Sequence, residues 1–271
     1  MELTVNSLDE LLYSGLKKLK DAPEVDSRLG DKTKEILGMK FILNNPCNRY
    51  MLSKTRKHNI AHQIFESLWV LTGNSRLSHL SRFLPNCKDF SDNWDGNEGT
   101  WRSQYGQRLR WWQKDNVGPL EHYAPDDYVD QWRNVVEELK THPNTRQAVM
   151  TIWDPEVDGN FKVTVKDRAC NNWIQFLLRN NKLHMFVTQR SSDGIWGLSA
   201  INVPEFTFMQ ELTASVLGCE LGTYNHVIGS FHIYDRHYER MDEIINEYES
   251  GFDFNKVNDG QSQSYIIDLK N

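Results

Sequence analysis

One segment, residues 163–202, constrains the fold more than any other part of this chain, because apolar runs and polar clusters alternate along it. A short β-branched run opens the segment, and two longer apolar runs cover residues 173–178 and 183–188. Apolar runs of this length, bounded by polar and turn-forming residues, are typical of neighbouring strands in a sheet. We therefore predict three strands between residues 163 and 188, with polar side chains gathered where the strands end.

Two polar clusters in this segment carry groups that could perform chemistry. Cys170 stands close to Arg168 at a predicted strand end, a setting that favours the nucleophilic thiolate over the thiol. The cluster at residues 189–193, Gln-Arg-Ser-Ser-Asp, adds one fixed cation and several directional hydrogen-bonding groups, which suit a phosphate and a polar heterocycle. The alternative is a buried structural cysteine and a surface arginine. These residues alone leave both interpretations open.

Together, the two clusters resemble the core of the thymidylate synthase family, which includes the pyrimidine nucleotide hydroxymethylases. The family pattern is a nucleophilic cysteine, then Gln-Arg-Ser-x-Asp, a glycine, and an asparagine or aspartate that reads the base. The matching positions are Cys170, Gln189, Arg190, Ser191, Asp193, Gly197 and Asn202. Further matches, in the same order as in the family, are Arg28, Glu66, Tyr105-Gly106, Arg146, His232 and Tyr234. The resemblance extends from about residue 8 to residue 240.

The resemblance implies a folate-dependent one-carbon transfer to carbon 5 of a pyrimidine nucleoside monophosphate. The implied catalytic residues are Cys170, Glu66, Tyr105 and Asn202. The implied substrate-binding residues are Arg28, Arg146, Gln189, Arg190, Ser191, His232 and Tyr234. The residues implied for the co-substrate 5,10-methylenetetrahydrofolate are Asp193, Trp94 and Gly197, and no metal is implied. The position of Arg146 implies a homodimer with shared active sites, because the family donates a cation from there to the partner's phosphate.

The base is predicted from Asn202. An amide offers both a donor and an acceptor, which matches O4 and N3–H of uracil, whereas aspartate would favour the cytosine edge. We therefore expect dUMP as substrate. This match requires one inserted residue between Gly197 and Asn202; without it Ile201 takes the position and the base is undetermined. The alternative role for Asn202 is to cap the helix predicted from Pro204.

Departures from the family pattern favour hydroxymethylation over methylation. The family's Pro-Cys-His is Ala-Cys-Asn at residues 169–171, a second arginine is replaced by Gln147, and one of two paired tryptophans is replaced by Ser91. The last six residues, 266–271, do not resemble the usual apolar tail. A methyl-forming synthase must exclude water, while a hydroxymethylase lets water add. Thymidylate synthase proper, a dCMP or CMP hydroxymethylase, and a non-catalytic nucleotide or RNA binder remain the alternatives.

Composition limits the partners and the compartment. The 271 residues suffice for one large core, and the net charge of −6 argues against a broad nucleic-acid surface or membrane surface. No apolar run reaches the roughly 18 residues that a membrane span needs, and no signal peptide opens the sequence. The four cysteines lie far apart without metal-binding spacing, so we expect a cytoplasmic protein with free thiols.

Periodicity along the rest of the chain predicts an α+β fold. We expect one domain, residues 1–271, with a mixed β-sheet flanked by helices. One predicted helix begins at residue 8, and the others cover residues 59–72, 126–141, 204–217 and 236–248. The remaining predicted strands cover residues 39–43, 148–153, 226–234 and 265–269. Residues 75–125 are rich in tryptophan, glycine and asparagine, and we expect loops lining a cleft there.

Overall fold

A computed structural model describes residues 1–27, 30–94, 99–112, 128–162 and 164–254, with the backbone alone at residues 93 and 94. Its main feature is a seven-stranded mixed sheet. The strands of this sheet are β1 Glu2–Val5, β2 Glu24–Asp26, β3 Lys32–Leu43, β6 Val149–Thr151, β7 Asn171–Arg179, β8 Lys182–Asp193 and β9 Glu220–Tyr234. They lie in the order β1-β3-β9-β8-β7-β6, with β2 added beside β3. A separate antiparallel pair is formed by β4 Asn93–Trp94 and β5 Gly99–Thr100.

Helices pack against the sheet and supply much of the core. They are α1 Leu8–Lys20, α2 Ile60–Leu71, α3 Leu77–Leu80, α4 Cys87–Phe90, α5 Tyr105–Arg110, α6 Gln131–Thr141, α7 Val203–Leu217 and α8 Tyr238–Glu249. Side-chain caps start α1 and α2: Ser7 Oγ accepts from Glu10 N, and Asn59 Oδ1 accepts from His62 N. Helix α7 is buried along nearly its whole length, so polar residues on it face protein and cavity rather than bulk water.

The α+β prediction is confirmed, but several boundaries differ. Two strands, β7 and β8, lie where three were predicted, because Thr164 and Val165 belong to an irregular segment. Strands β1 and β2 were not predicted; each is too short to show a period and forms only by pairing with β3. Residues 75–112 contain short helices as well as loops. The predicted strand at 265–269 and the tail at 266–271 lie outside the described residues.

The antiparallel and parallel neighbours of β8 bring three sequence clusters to one end of the sheet. Asn171, the residue after Cys170, pairs with Gln189 across β7 and β8. On the other side of β8, Asp193 pairs with His232 of the parallel strand β9. Register therefore places the cysteine, the Gln-Arg-Ser cluster and the His-x-Tyr pair together.

Gly106 sets the distance between helices α2 and α5, which carry Glu66 and Tyr105. A Cβ at Gly106 would lie 2.5 Å from the carbonyl oxygen of Val70, closer than any side chain tolerates. The glycine therefore lets α5 approach α2 directly. This approach brings Tyr105 and Glu66 to the same space.

The chain between β8 and α7 forms a π-helix, Gly194–Asn202. Its entry is capped by Asp193, whose Oδ1 accepts from the backbone N–H groups of Ile195 and Trp196. Hydrogen bonds from residue i to i+5 enclose one more residue per turn than those of an α-helix, and such segments are frequent at functional sites. The π-helix delivers the chain directly into α7, with Pro204 in its first turn.

Candidate active site

A cavity of about 230 Å³ lies between the end of the sheet, α2, α5 and the π-helix. Its polar lining side chains are Glu66, Ser103, Tyr105, Asp167, Arg168, Cys170, Asn202 and Glu205. The apolar part of the wall includes Trp69, Leu80 and Trp101, and Gly197 completes the side formed by the π-helix. All four residues predicted to be catalytic therefore border one space. We call it the first cavity.

Cys170 follows an irregular segment and directly precedes β7. The guanidinium of Arg190 donates through Nη2 to the Cys170 sulfur at 3.6 Å and to the carbonyl oxygen of Arg168 at 3.1 Å. Its Nε donates to the carbonyl oxygen of Ala169 at 2.9 Å. The backbone carbonyls before Cys170 thus fix the cation beside the sulfur, while Arg190 itself stays exposed to solvent.

The structure disagrees with the expectation of a resting thiolate. Burial raises the pKa of the Cys170 thiol, and the opposing attraction of Arg190 does not cancel this effect. Asp167 and Asp158 raise the same pKa further by repulsion. In this state the thiol is held protonated, so activation requires a change in the charge or hydration of the cavity.

Tyr105 joins helix α5 to the cysteine segment. Its hydroxyl oxygen accepts hydrogen bonds from the backbone N–H of Cys170 at 3.0 Å and of Asn171 at 3.3 Å. Burial, with repulsion from Cys170 and Asp167, raises the pKa of Tyr105, so the phenol keeps its proton. Since the oxygen already accepts two bonds, the hydroxyl can act towards other groups only as a donor.

Asn202 is buried at the end of the π-helix and is linked to two other polar side chains. Gln189 donates through Nε2 to Asn202 Oδ1 at 2.8 Å, and Asn202 also hydrogen-bonds the Glu205 carboxyl. The alternative role as a helix cap is not observed: Asn202 occupies the N-cap position of α7 without a side-chain capping bond. Its amide is instead oriented at the cavity wall.

The π-helix accounts for the extra residue between Gly197 and Asn202. Both residues line the first cavity, and a Cβ on Gly197 would stand 3.7 Å from Asn202 Oδ1. The i→i+5 pattern absorbs one residue without moving either end of the segment. Ile201, which an ungapped match would place at the base-reading position, contributes an apolar side chain to the same wall.

Glu205 and Asp167 are cavity residues that the sequence analysis did not identify. Glu205 is only 2% exposed, and burial together with the charge of Glu66 raises its pKa well above the ordinary value. Burial also raises the pKa of Asp167 to about 6. A glutamate within the apolar stretch at 203–209, and an aspartate three residues before the cysteine, are signals that could have revealed them.

The residues matched to phosphate and ribose binding lie next to the first cavity. Ser191 pairs with Ser230 across β8 and β9, and the rings of His232 and Tyr234 meet edge to face at 5.1 Å. Tyr234 is near enough to Cys170 for the sulfur to raise the phenol pKa, although burial is the larger cause.

Three further predicted residues cannot be placed in the site. Arg146 is exposed and does not line the cavity. Arg28 lies outside the described residues, and so does the side chain of Trp94.

A second cavity of about 300 Å³ adjoins the first and shares Glu66 and Trp101 with it. The ring of Trp196 lines this cavity, held 4.4 Å from the guanidinium of Arg56. Asp193 caps the π-helix three residues before Trp196, and its buried Oδ2 has no hydrogen-bond partner among the described residues. The indole rings of Trp101 and Trp196 give the cavity walls that fit a flat ring system.

The described residues contain neither a metal-ligand cluster nor a membrane-spanning helix. No three histidine, cysteine, aspartate or glutamate side chains within the described ranges converge as metal ligands do. Likewise, no helix in the described part of the chain is both long and apolar enough to cross a membrane.

Comparison with known proteins identifies the family. The family model described as thymidylate synthase matches residues 14–269, nearly the whole chain. The chain belongs to the thymidylate synthase family. Members of this family use methylenetetrahydrofolate as the one-carbon donor.

Similar proteins come from bacteriophages. The chain is 38% identical over 205 residues to a deoxyuridylate hydroxymethyltransferase of Bacillus phage SP01, covering 76% of this chain and 51% of the relative. A protein of the same name from Delftia phage PhiW-14 is 28% identical over 248 residues, 88% of this chain and 64% of the relative. Another from Pseudomonas phage M6 is 31% identical over 203 residues, 74% and 50% of the two chains. The chain thus matches only half to two thirds of these relatives' lengths.

Proposed function

We propose that this protein transfers a one-carbon unit from methylenetetrahydrofolate to carbon 5 of dUMP and releases 5-hydroxymethyl-dUMP. The observation that carries the proposal is the meeting of Cys170, Tyr105, Glu66 and Asn202 around one cavity. Family membership supports the one-carbon chemistry, and the names of the phage relatives support the hydroxymethyl product. We also propose that the chain forms one catalytic domain, because the family match extends from residue 14 to residue 269.

The nucleophile in this proposal is the Cys170 sulfur. Carbon 5 of uracil is a poor nucleophile until a group adds at carbon 6. A bond from the Cys170 sulfur to carbon 6 would move the ring electrons to O4 as an enolate, which makes carbon 5 nucleophilic. A dianionic nucleotide phosphate bound near Arg190 would share the guanidinium charge that now lowers the pKa of the Cys170 thiol. Because the thiol then keeps its proton more firmly, this proton must leave through neighbouring groups of the cavity.

Asn202 is proposed to read the base. With its Oδ1 already accepting from Gln189, the amide can present its remaining donor and acceptor capacity to O4 and N3–H of uracil. Stabilising O4 where negative charge develops lowers the barrier to sulfur addition. The phenol of Tyr105, limited to donation, and the Glu66 carboxyl, 2.9 Å from His62 Nε2, are proposed to manage protons around the ring.

Arginines and the ribose pair are proposed to bind the rest of the nucleotide. Arg190 offers an exposed guanidinium at the mouth of the first cavity, and Arg28 and Ser191 would add phosphate contacts. His232 and Tyr234 would hydrogen-bond the sugar 3′-hydroxyl. Arg146, exposed and apart from its own chain's cavity, would reach the phosphate of a partner subunit in a two-fold symmetric homodimer.

The second cavity is proposed to bind the folate. When bound, methylenetetrahydrofolate supplies the one-carbon unit. Trp101 and Trp196 offer apolar ring faces for a pterin. Asp193, which caps the π-helix just before Trp196, is proposed to accept a hydrogen bond from the pterin. Arg56 and Lys57 line the same cavity and would attract the carboxylates of the folate tail. Gly197, which lines the first cavity, and Trp94 are proposed as further folate contacts.

Product analysis tests the proposal directly. The protein is incubated with methylenetetrahydrofolate and dUMP, dCMP or CMP in parallel, and the nucleotide products are identified by mass spectrometry. We expect 5-hydroxymethyl-dUMP from dUMP, with no rise in dihydrofolate absorbance and no product from Cys170→Ser. Formation of dTMP with dihydrofolate would show thymidylate synthesis instead, and binding without any product would show a non-catalytic nucleotide binder.

A further inference from the structure

The proposed reaction needs a group that activates water, and the first cavity offers three carboxyl groups for this task. Glu205 is fully buried and hydrogen-bonded to Asn202, and burial raises its pKa well above the ordinary value, which favours the protonated acid over a base. Glu66 lies 2.9 Å from the imidazole of His62 and is already proposed to manage protons around the pyrimidine ring. Asp167 is the remaining carboxyl among the described lining residues, and it is only partly buried.

The position of Asp167 is fixed from two sides. Its Oδ2 accepts a hydrogen bond from the backbone N–H of Ser103 at 2.7 Å, and its own backbone N–H donates to Asp92 Oδ2 at 3.1 Å. Ser103 lies two residues before Tyr105, and Asp167 lies three residues before Cys170. The carboxyl therefore borders the same space as the sulfur and the phenol, while its Oδ1 is not committed to Ser103 N–H.

The surrounding charges leave this carboxyl able to gain and lose a proton. Burial and the nearby Asp158 raise the pKa of Asp167 to about 6, while Ser103 and Arg108 oppose the rise. A general base works best when its pKa lies near the working pH. The guanidinium of Arg108 is paired with the Asp158 carboxylate at 2.5 Å. Because this pairing compensates much of its charge, Arg108 lowers the pKa of Asp167 only weakly.

We propose that Asp167 is the general base that takes a proton from the water molecule adding to the one-carbon unit on carbon 5 of the pyrimidine. This inference rests on the proposed hydroxymethylation. The water oxygen bonds to the exocyclic methylene carbon, and its proton moves to the Asp167 carboxylate. The electron pair of the exocyclic double bond moves to O4, and its return to the ring expels the Cys170 thiolate from carbon 6. The proton on Asp167 then passes to the thiolate or to water, and no oxidant or reductant is consumed.

The test compares Asp167→Asn with wild type in steps before and after water addition. Asparagine can still accept from Ser103 N–H, so the segment keeps its anchor, but it cannot take a proton. We expect 5-hydroxymethyl-dUMP formation to fall by about 10²–10⁴-fold. In single-turnover experiments, tritium release from carbon 5 of labelled dUMP, and covalent trapping by 5-fluoro-dUMP with methylenetetrahydrofolate, should stay within a few-fold of wild type because both precede the water step.

Two controls separate catalysis from structure. Asp92→Asn makes the same chemical change at an exposed residue that holds the same segment, and it should keep the wild-type product rate. The wild-type product rate should decline as the pH falls through about 6, and this decline should be absent in Asp167→Asn. Arg108, Asp158 and Cys170 interact electrostatically with Asp167, so their charges also influence these pH profiles.

The outcomes are distinguishable. Asp167→Asn with a wild-type rate of hydroxymethyl product would overturn the inference alone. Equal losses of trapping, tritium release and product would also overturn it, since they would show a role in binding. A wild-type protein that makes dTMP, or no product from dUMP, would overturn both the proposed function and this inference.

Discussion

The side-chain amide of Gln189 holds that of Asn202, with Nε2 of the first 2.8 Å from Oδ1 of the second. An aspartate at residue 202 would keep this bond, because a carboxylate oxygen also accepts, but it would lose the donor and repel O4 of uracil. We expect Asn202→Asp to shift the ratio of specificity constants from dUMP towards dCMP at least about tenfold, since a mismatched buried hydrogen bond costs about 1–3 kcal/mol. Parallel kinetics with both nucleotides measure this shift. An unchanged ratio in a folded variant would refute base reading by Asn202.

Glu205 should behave as a neutral hydrogen-bond partner of Asn202. Because burial raises the pKa of Glu205 well above its ordinary value, glutamine is a close substitute in both shape and charge. We expect Glu205→Gln to keep kcat/KM for dUMP within a few-fold. Glu205→Leu leaves the Asn202 amide without this partner, and we expect a loss of about 1–3 kcal/mol in transition-state binding. A severe defect in Glu205→Gln would show that the carboxyl must be ionised.

The alkylation of Cys170 should follow the raised pKa of its thiol. Iodoacetamide reacts with the thiolate, so the rate at Cys170 should rise with pH to a midpoint above 9, the ordinary value for a thiol. Arg190→Ala removes the cation that lowers this pKa, and the midpoint should move higher, while Arg190→Lys should move it less. Peptide mass spectrometry assigns the modified cysteine. A midpoint below 9 in the free protein would contradict the rise in the Cys170 thiol pKa on burial.

The proposed homodimer predicts complementation between two inactive variants. Cys170→Ser lacks the nucleophile, and Arg146→Ala lacks the cation proposed to reach the partner's phosphate. Mixed dimers contain one site with both residues intact, so we expect restored activity up to about a quarter of the wild-type level when the two chains exchange freely. Each variant assayed alone is the control. A fully active monomer at micromolar concentration would contradict shared sites.

Asp167 should lower stability at neutral pH. Its pKa rises from 3.8 in an unfolded chain to about 6 in the fold, so the folded state binds the proton more tightly. The unfavourable contribution of Asp167 to stability is therefore absent below pH 3.8, grows between pH 3.8 and about 6, and is fully present above about 6. At pH 8 we expect Asp167→Asn to increase the free energy of unfolding by about 2–3 kcal/mol, with no gain at pH 3.5. Urea unfolding at both pH values measures this, with Asp92→Asn as control.

Local sequence predicts the central features of this protein because the chemistry and the strand pattern coincide there. The apolar runs of β7 and β8 have the length of strands, and the polar residues at their ends follow directly in sequence. The capped helices α1 and α2 are likewise visible from Ser7 and Asn59, whose side chains accept from the first helical turn. These predictions need no knowledge of distant contacts.

Other features arise only from tertiary contacts. The sheet register that sets Asp193 beside His232 joins residues 39 positions apart, and no local pattern reports it. The thiol pKa of Cys170 depends on burial, which outweighs the neighbouring cation and reverses the expectation drawn from sequence. Glu205 and Asp167 acquire a possible function only because α2, α5 and α7 enclose one cavity.

The π-helix at Gly194–Asn202 makes the count of residues, as well as their identity, a determinant of which side chain faces the first cavity. Its beginning is fixed by Asp193 and its end by the buried helix α7, so a single deletion would convert it towards an α-helix without shifting either anchor. Such a deletion would exchange the amide at the cavity wall for the neighbouring apolar side chain of Ile201. In this fold, insertion and deletion therefore offer a second route, besides point substitution, to a different cavity lining.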